Sequence, residues 1–156
     1  MKITFVLVGN IKNRHVSALT DEYIKRIKRY VRVEEVVVKE EVSHANALVE
    51  AVLDKEALRI VKRLAKTEFA VALTPTGRRM SSSDFAGFIE RRMTLGCKGI
   101  TFIVGASFGL GKGVTERADA VLSLSDMTLP HELAALCLAE QIYRAFTIIR
   151  GEPYSH

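Results

Sequence analysis

Three loops that follow predicted buried strands contain the residues of this chain best suited to hold a ligand. They are Leu73 to Gly77, Gly105 to Gly109 and Leu124 to Leu129. In an open α/β sheet, ligands bind outside the carboxyl ends of the strands. Backbone groups of such loops can bind the edges of an adenine and a ribose, and Leu and Met side chains can cover the faces of a purine. We therefore predict a cofactor pocket lined largely by main chain.

Glycine recurs at positions 105, 109, 111 and 113, where the absence of a Cβ should let backbone approach a ligand. Gly111-Lys112 also invites comparison with a phosphate-binding P-loop. That motif needs a glycine five residues before Gly111 and Ser or Thr after Lys112, but Ala106 and Gly113 occupy those positions. The glycines do not match the dinucleotide-binding fingerprint either. The sequence therefore argues against nucleotide hydrolysis.

Several polar groups lie on the last apolar helix and in the tail that follows it. Arg144 and Arg150 are charges on this helix, and burying a charge without a partner is costly. Each should meet a carboxylate, a second subunit or a phosphate. His131, next to Pro130, could hydrogen-bond in the cofactor loop, contact RNA or cap local structure. Residues 151–156 have no helix to join and no core to enter.

Composition and charge predict a single globular domain, residues 1–156, with one basic end. The formal net charge is +5 and the pI is about 9.4, which is compatible with RNA binding but not diagnostic of it. Residues 12–32 contain seven Lys or Arg against two acidic residues, whereas residues 34–41 have a net charge of −3. The two cysteines and four histidines are dispersed without metal-ligand spacing, so we expect reduced thiols and no metal site.

The location of the protein is also predicted from its apolar segments. No apolar run approaches the length of a membrane span. The N-terminus lacks the pattern of a signal peptide, because Asn10, Lys12 and Arg14 follow a short apolar strand. We expect a cytoplasmic protein without a membrane segment.

Apolar patterning predicts strands that alternate with helices. Continuous apolar runs indicate buried strands and amphipathic stretches indicate helices. The predicted strands are residues 2–8, 33–38, 69–73, 100–104 and 120–123, and the predicted helices are residues 17–30, 45–66, 82–95 and 130–149. Pro75 and Gly77 should end the third strand. The second helix should be interrupted near Asp54, and Ser81 and Asp84 have capping-box spacing before the third. This alternation predicts a three-layer α/β architecture with a mainly parallel sheet.

The chain resembles a known family along its whole length. The opening MKITFVLVGNIK, the central LTPTGRRMSS and the ending PHELAALCLAEQIYRAFTIIRGEPY carry the resemblance through their order and spacing. They are similar to SPOUT-class RNA methyltransferases and, within that class, to the ribosomal RNA large subunit methyltransferase H family. The resemblance implies a C-terminal trefoil knot, a homodimer, S-adenosylmethionine as cofactor and methylation of N3 of a pseudouridine in helix 69 of 23S ribosomal RNA. Physical rules alone would predict an unknotted chain.

The resemblance also implies roles for individual residues. S-adenosylmethionine would be bound by Leu73, Gly105, Leu124, Ser125, Asp126, Met127, Thr128 and Leu129. Tyr154 and His156 would position the base or relay its proton, and Arg144 would contact phosphate or base. The RNA backbone would be contacted by Lys25, Arg26, Lys28 and Arg29. Related proteins end in adjacent Tyr-His, whereas Ser155 separates the two residues here, so the role transfers more safely to Tyr154 than to His156.

Two other functions are compatible with the sequence. One is a non-catalytic RNA-binding or ribosome-associated module of the same fold, which would have no reason to bind S-adenosylmethionine. The other is a methyltransferase that acts on transfer RNA. The compact N-terminus counts against the second, because it leaves no room for an added RNA-recognition domain.

Overall fold

Strands and helices alternate along the chain, as the patterning predicts. The computed structural model describes residues 1–41 and 48–154. The strands are β1 (Lys2–Val8), β2 (Arg32–Val38), β3 (Phe69–Arg79), β4 (Gly99–Val104) and β5 (Ala120–Ser123), and the helices are α1 (Arg14–Ile27), α2 (Val49–Val61), α3 (Ser82–Thr94), α4 (Lys112–Arg117) and α5 (His131–Arg150). None of the helices described is long and apolar enough to cross a membrane.

The strands form one parallel sheet in the order β2-β1-β4-β3-β5. All six residues of the central strand β4 are buried, as expected for a strand that is covered on both faces. Helices α1, α3 and α5 share one buried apolar cluster with the sheet, and α2 and α4 share the other. The predicted three-layer α/β architecture is confirmed, whereas the trefoil knot stays a prediction.

Helices α1, α3 and α5 cover the same face of the sheet, and α5 packs against both of the others. Its Leu138 and Phe146 are at most 1% exposed and belong to the same buried cluster as Phe102 of β4. The apolar residues on more than one side of α5 are therefore largely covered within the chain. Leu133 on α5 and Leu19 on α1 stay 40% and 42% exposed.

Most element boundaries lie within one residue of the predicted ones, and the larger discrepancies concern α1, α2 and β3. Helix α1 begins three residues early because the Asn13 side chain accepts hydrogen bonds from the backbone N–H groups of His15 (3.0 Å) and Val16 (3.3 Å), which is an N-cap. Helix α2 runs without a break through Asp54, so the predicted interruption is wrong. Part of its predicted span, residues 45–47, lies outside the described residues. The capping box before α3 is confirmed.

Strand β3 does not end before Pro75 as predicted but continues to Arg79. Its pairing with β5 shifts register between Leu73 and Arg78, and an irregularity of this kind is where a strand tolerates proline, which has no N–H to donate. Gly77 is needed there, because a Cβ would overlap the backbone of Leu122 in β5. Residues 74–79 of β3 therefore extend beyond the carboxyl end of its neighbour β4.

Candidate functional site

A cavity of about 580 Å³ lies at the carboxyl ends of β3, β4 and β5. Small-molecule sites in proteins span about 300–1,000 Å³. All three loops singled out in the sequence contribute to its walls, and the first turn of α5 closes one side. The lining residues are Leu73, Thr74, Pro75, Val104, Gly105, Ala106, Ser107, Phe108, Gly109, Ser123, Leu124, Ser125, Met127, Thr128, Leu129, Pro130, His131 and Ala134. A pocket is thus present where the loops predict one.

Seven of the eight residues predicted to bind the cofactor line this cavity, and Asp126 is the exception. Its carboxylate Oδ1 pairs with Nε of Arg79 on β3 at 2.5 Å, and both side chains are largely exposed. The loop on either side is held by local hydrogen bonds: the Ser125 hydroxyl accepts from the Met127 N–H at 2.9 Å, and the Ser123 hydroxyl donates to the Ser125 carbonyl at 2.9 Å. Asp126 therefore ties the loop to β3 and does not face the cavity.

The wall of the cavity consists mainly of backbone, apolar side chains and hydroxyl groups. His131 is the only titratable side chain among the described residues that line it. The carboxylate of the adjacent Glu132 accepts hydrogen bonds from the backbone N–H groups of Lys12 (2.7 Å) and Asn13 (3.3 Å), which joins the loop after β1 to the start of α5. Such a wall can bind a nucleoside, but one chain alone supplies few groups for proton transfer.

Two of the glycines that follow β4 lie very close to other backbone of the same chain. A Cβ on Gly105 would overlap the carbonyl of Gly109, and Gly109 itself has φ of 80°, which favours glycine. A Cβ on Gly111 would lie 2.9 Å from the carbonyl oxygen of Leu53 on α2, whereas one on Gly113 would make an ordinary contact. The close approaches at Gly105 and Gly111 are therefore to the protein's own backbone. Gly105 shapes the loop that lines the cavity.

Arg144 and Tyr154, both predicted from the resemblance, lie together on a second surface. The Arg144 guanidinium donates to Glu140 Oε1, through Nε at 2.9 Å and Nη2 at 2.5 Å, and lies over the Tyr154 ring with 4.9 Å to its centroid. The Tyr154 hydroxyl is 3.4 Å from the same Glu140 oxygen and 3.3 Å from the Tyr23 hydroxyl of α1. Its ring packs edge-on against Tyr143, with centroids 4.6 Å apart. We call Tyr23, Glu140, Tyr143, Arg144 and Tyr154 the tail cluster.

The tail therefore has a place to pack, contrary to the prediction that it has none. The Tyr30 hydroxyl donates to the Glu152 carboxylate, and the Glu152 N–H donates to the Thr147 carbonyl at 2.9 Å. Burial, and then the hydrogen bond to Glu152, raises the pKa of Tyr30 to about 12. Burial, and then the hydrogen bond to Tyr23, raises the pKa of Tyr154 well above its usual value. Both phenols are therefore neutral at physiological pH.

The cavity and the tail cluster occupy different places along α5. His131, at the start of the helix, lines the cavity, whereas Glu140 lies about 14 Å further along the axis at 1.5 Å per residue. Neither Arg144 nor Tyr154 is among the residues that line the cavity. His156, the other predicted catalytic residue, lies outside the described residues. One chain therefore does not bring the described catalytic candidates to the cavity.

The predicted RNA-binding residues lie at the end of α1 that is distant from the cavity. Lys25, Lys28 and Arg29 are exposed. Arg26 is partly neutralised by an ion pair with Glu22 and lies over the rings of Tyr23 and Tyr143, and Lys28 is 3.8 Å from Glu35. Because α1 returns antiparallel to the strands, this basic surface is close to the tail cluster and remote from the carboxyl ends of the strands.

Several residues of the cavity and of the tail cluster were not predicted from the sequence. Phe108 lines the cavity and belongs to the predicted loop Gly105 to Gly109, but it was not singled out as a binding residue. Glu140 is four residues before Arg144, a spacing that brings side chains together on a helix. No sequence spacing predicts the position of Tyr23, because its contact with Tyr154 joins residues far apart in the chain. Within residues 1–41 and 48–154, no three His, Cys, Asp or Glu side chains are grouped so that they could hold a metal ion.

Comparison with known proteins extends these observations. The family model described as "Predicted SPOUT methyltransferase" matches residues 1–156. Proteins named Ribosomal RNA large subunit methyltransferase H from Carboxydothermus hydrogenoformans and Acetivibrio thermocellus are 45% and 43% identical to this chain, with 99% of each chain covered. The solved tRNA (m1G37) methyltransferase from Aquifex aeolicus shares the fold, with a TM-score of 0.59 and 17% identity over 100% of this chain and 75% of that chain. The chain belongs to the SPOUT methyltransferase family.

Proposed function

We propose that this protein is an S-adenosylmethionine-dependent methyltransferase of large-subunit ribosomal RNA, and that it methylates N3 of a pseudouridine in helix 69 of the 23S RNA. The observation that carries the proposal is the cavity of about 580 Å³ at the carboxyl ends of the central strands. The names of relatives at 43–45% identity support ribosomal RNA as the substrate. The ribosome or its large subunit is then the partner, and the cytoplasm is the place of action.

The size and chemistry of the cavity fit S-adenosylmethionine. Leu124, Met127 and Leu129 supply apolar surface for a purine, and the backbone of Leu73 and Gly105 supplies hydrogen-bonding groups for its edge and for ribose. When bound, the cofactor supplies a methyl group that its sulfonium already activates. The protein's task is then mostly to hold donor and base in line and to remove the N3 proton.

Tyr154 is best suited to donate a hydrogen bond to the base. Its raised pKa keeps the phenol neutral at physiological pH, so it is a poor proton acceptor. Arg144, beside it, can contact phosphate or a base carbonyl. His156, two residues beyond Tyr154, is the candidate to relay the N3 proton, and His131 is the titratable group already at the cavity.

A homodimer would bring the tail cluster of one chain to the cavity of the other. The cavity contains almost no titratable groups, and the tail cluster of the same chain lies elsewhere on α5. If a second chain packs antiparallel along α1 and α5, its tail reaches the first chain's cavity. The exposed Leu19 and Leu133 are available to such an interface. The basic surface of the second chain, at Lys28 and Arg29, would then lie beside the reacting base, where it could bind RNA phosphates.

Methyl transfer to ribosomal particles tests the proposal. Large subunits and 70S ribosomes from a strain that lacks the protein are incubated with it and radiolabelled S-adenosylmethionine, and helix 69 is mapped by mass spectrometry. We expect one methyl group on a pseudouridine of that helix. Methylation of transfer RNA instead would overturn the substrate, and calorimetry without S-adenosylmethionine binding would indicate a non-catalytic module. Incorporation at another nucleotide of the 23S RNA would keep the enzyme class and correct the target.

A further inference from the structure

The Glu140 carboxylate is the point where the two described catalytic candidates meet. Its Oε1 accepts from Arg144 Nε at 2.9 Å and Nη2 at 2.5 Å, and it lies 3.4 Å from the Tyr154 hydroxyl. The Glu140 side chain is 19% exposed, so solvent screens these contacts only in part. With its proton directed at Glu140, the Tyr154 hydroxyl accepts from Tyr23 at 3.3 Å.

The second oxygen of the same carboxylate is also occupied. Glu140 Oε2 accepts from Gln141 Nε2 at 2.6 Å, and Gln141 Oε1 accepts from the Ser82 hydroxyl of α3 at 2.7 Å. This chain of hydrogen bonds runs from the start of α3 across α5 to the tail. Both carboxylate oxygens therefore have fixed partners, and the orientation of the group is determined from both sides.

We propose that Glu140 is a positioning residue that holds Arg144 and Tyr154 in one arrangement for the reaction. This inference rests on the proposed function and adds a residue to it. Glu140 belongs to the rigid helix α5, whereas Tyr154 follows the helix end at Gly151. A short tail of this kind loses conformational entropy when it is ordered. Contacts from a fixed carboxylate to the phenol and to the guanidinium over its ring offset that cost.

An exposed ion pair between residues four apart on a helix would not have these properties. Such a pair involves two side chains and contributes little to helix stability. Glu140 instead joins three elements: α3 through Gln141, its own helix α5 through Arg144, and the tail through Tyr154. A purely structural pair would affect stability, whereas a positioning residue should affect turnover.

Glu140→Gln tests this role because it keeps the size of the side chain and removes its charge. In the full-length protein we expect kcat for methyl transfer to fall about 10- to 100-fold, the scale of a small misplacement of reacting groups. The affinity for S-adenosylmethionine should stay unchanged. Glu140→Asp, which keeps the charge, should recover part of the rate. The matched control is Glu90→Gln, which neutralises an exposed carboxylate on α3.

A double-mutant cycle separates positioning from a general loss of stability. In a Tyr154→Phe background, Glu140→Gln should cost much less than it does in the wild-type chain, because one of the groups that Glu140 holds has already lost its hydroxyl. Additive losses would overturn the inference. A kcat of Glu140→Gln within twofold of wild type would overturn it as well.

A measurement without substrate keeps this inference distinct from the proposed function. Tyrosines are replaced by 3-fluorotyrosine, and the ¹⁹F resonance of residue 154 is assigned with Tyr154→Phe. Glu140→Gln should shift that resonance, and Glu90→Gln should not. If the wild type methylates no ribosomal RNA, the proposed function fails, and the resonance still decides whether Glu140 holds Tyr154. An unshifted resonance overturns the inference even in an active enzyme.

Discussion

The cavity and the tail cluster divide the properties of an active site between them. The cavity has the volume for a cofactor, yet His131 is the only titratable side chain among its described lining residues. The tail cluster concentrates a carboxylate, a guanidinium and three phenols at distances of hydrogen bonds and ring contacts, and its phenol and guanidinium candidates do not line that cavity. The cavity and the described catalytic candidates thus lie at different positions along α5.

This division has a consequence for how the two regions respond to substitution. Changes in the cavity loops should act on S-adenosylmethionine affinity, because those loops meet the ligand mainly through backbone and apolar groups. Changes in the tail cluster should act on kcat and leave that affinity unchanged. If a second chain completes the site, as proposed above, defects in the two regions should complement each other in a mixed dimer.

The largest effect is expected from Gly105→Ala in the cavity. The added Cβ overlaps the Gly109 carbonyl, so the loop must shift, and we expect S-adenosylmethionine binding to be abolished in calorimetry. The matched control is Gly113→Ala, whose Cβ meets Ala57 at 3.5 Å. That control should keep its affinity and gain about 0.5–1 kcal/mol of stability, as is typical of Gly to Ala within a helix. Equal affinities in the two variants would contradict the role of Gly105.

Deletion of residues 153–156 should have the next largest effect. We expect kcat on ribosomes to fall about 10²- to 10⁴-fold, the range for losing a placed proton-transfer group. S-adenosylmethionine affinity should persist, because none of the deleted residues that the structure describes lines the cavity. Turnover near that of wild type would remove both Tyr154 and His156 from the catalytic residues.

Mixing two inactive variants sharpens the comparison between the regions. A tail-deleted chain retains its cavity, and a Gly105→Ala chain retains its tail. In a hybrid dimer, the tail of the second chain can serve the cavity of the first, so about half of the dimers formed at random contain one complete site. Mixed samples should therefore recover measurable activity after subunit exchange. A mixture as inactive as its components would show that each tail serves its own cavity.

The sequence predicted the cavity better than the tail cluster, for a physical reason. Loops after parallel strands meet at one edge of the sheet by topology alone, so Leu73, Gly105 and Leu124 could be grouped without a structure. Tyr23 and Tyr154 meet only because α1 packs against α5. The resemblance supplied Arg144 and Tyr154 but gave no account of what surrounds them. Gly105 and Gly111 each lie close to the protein's own backbone, and a close backbone approach looks the same in sequence whether its partner is a ligand or the protein itself.

Tyr154→Phe should produce a smaller loss that is independent of pH over a wide range. Burial and the Tyr23 hydrogen bond raise the pKa of Tyr154, so the phenol stays neutral up to and beyond its usual pKa near 10. We expect kcat to fall about 10-fold, the equivalent of one hydrogen bond of about 1.4 kcal/mol. The ratio of the two rates should be constant between pH 7 and about pH 9. A ratio that declines across this range would mean that the phenol titrates there and acts as a base.

The smallest effect is expected from Asp126→Asn, although this residue lies between two that line the cavity. Its carboxylate pairs with Arg79 on the surface, with side chains 62% and 72% exposed, and exposed ion pairs contribute little to stability. S-adenosylmethionine affinity should stay within about threefold of wild type, because the loop retains the hydrogen bonds of Ser123 and Ser125. Leu129→Ala is the matched change at a lining position and should lower affinity about 10-fold, since it removes apolar contact surface worth about 1.4 kcal/mol. A loss in Asp126→Asn as large as that in Leu129→Ala would mean that the carboxylate turns into the cavity when the cofactor binds, and the cavity would then contain a second titratable group.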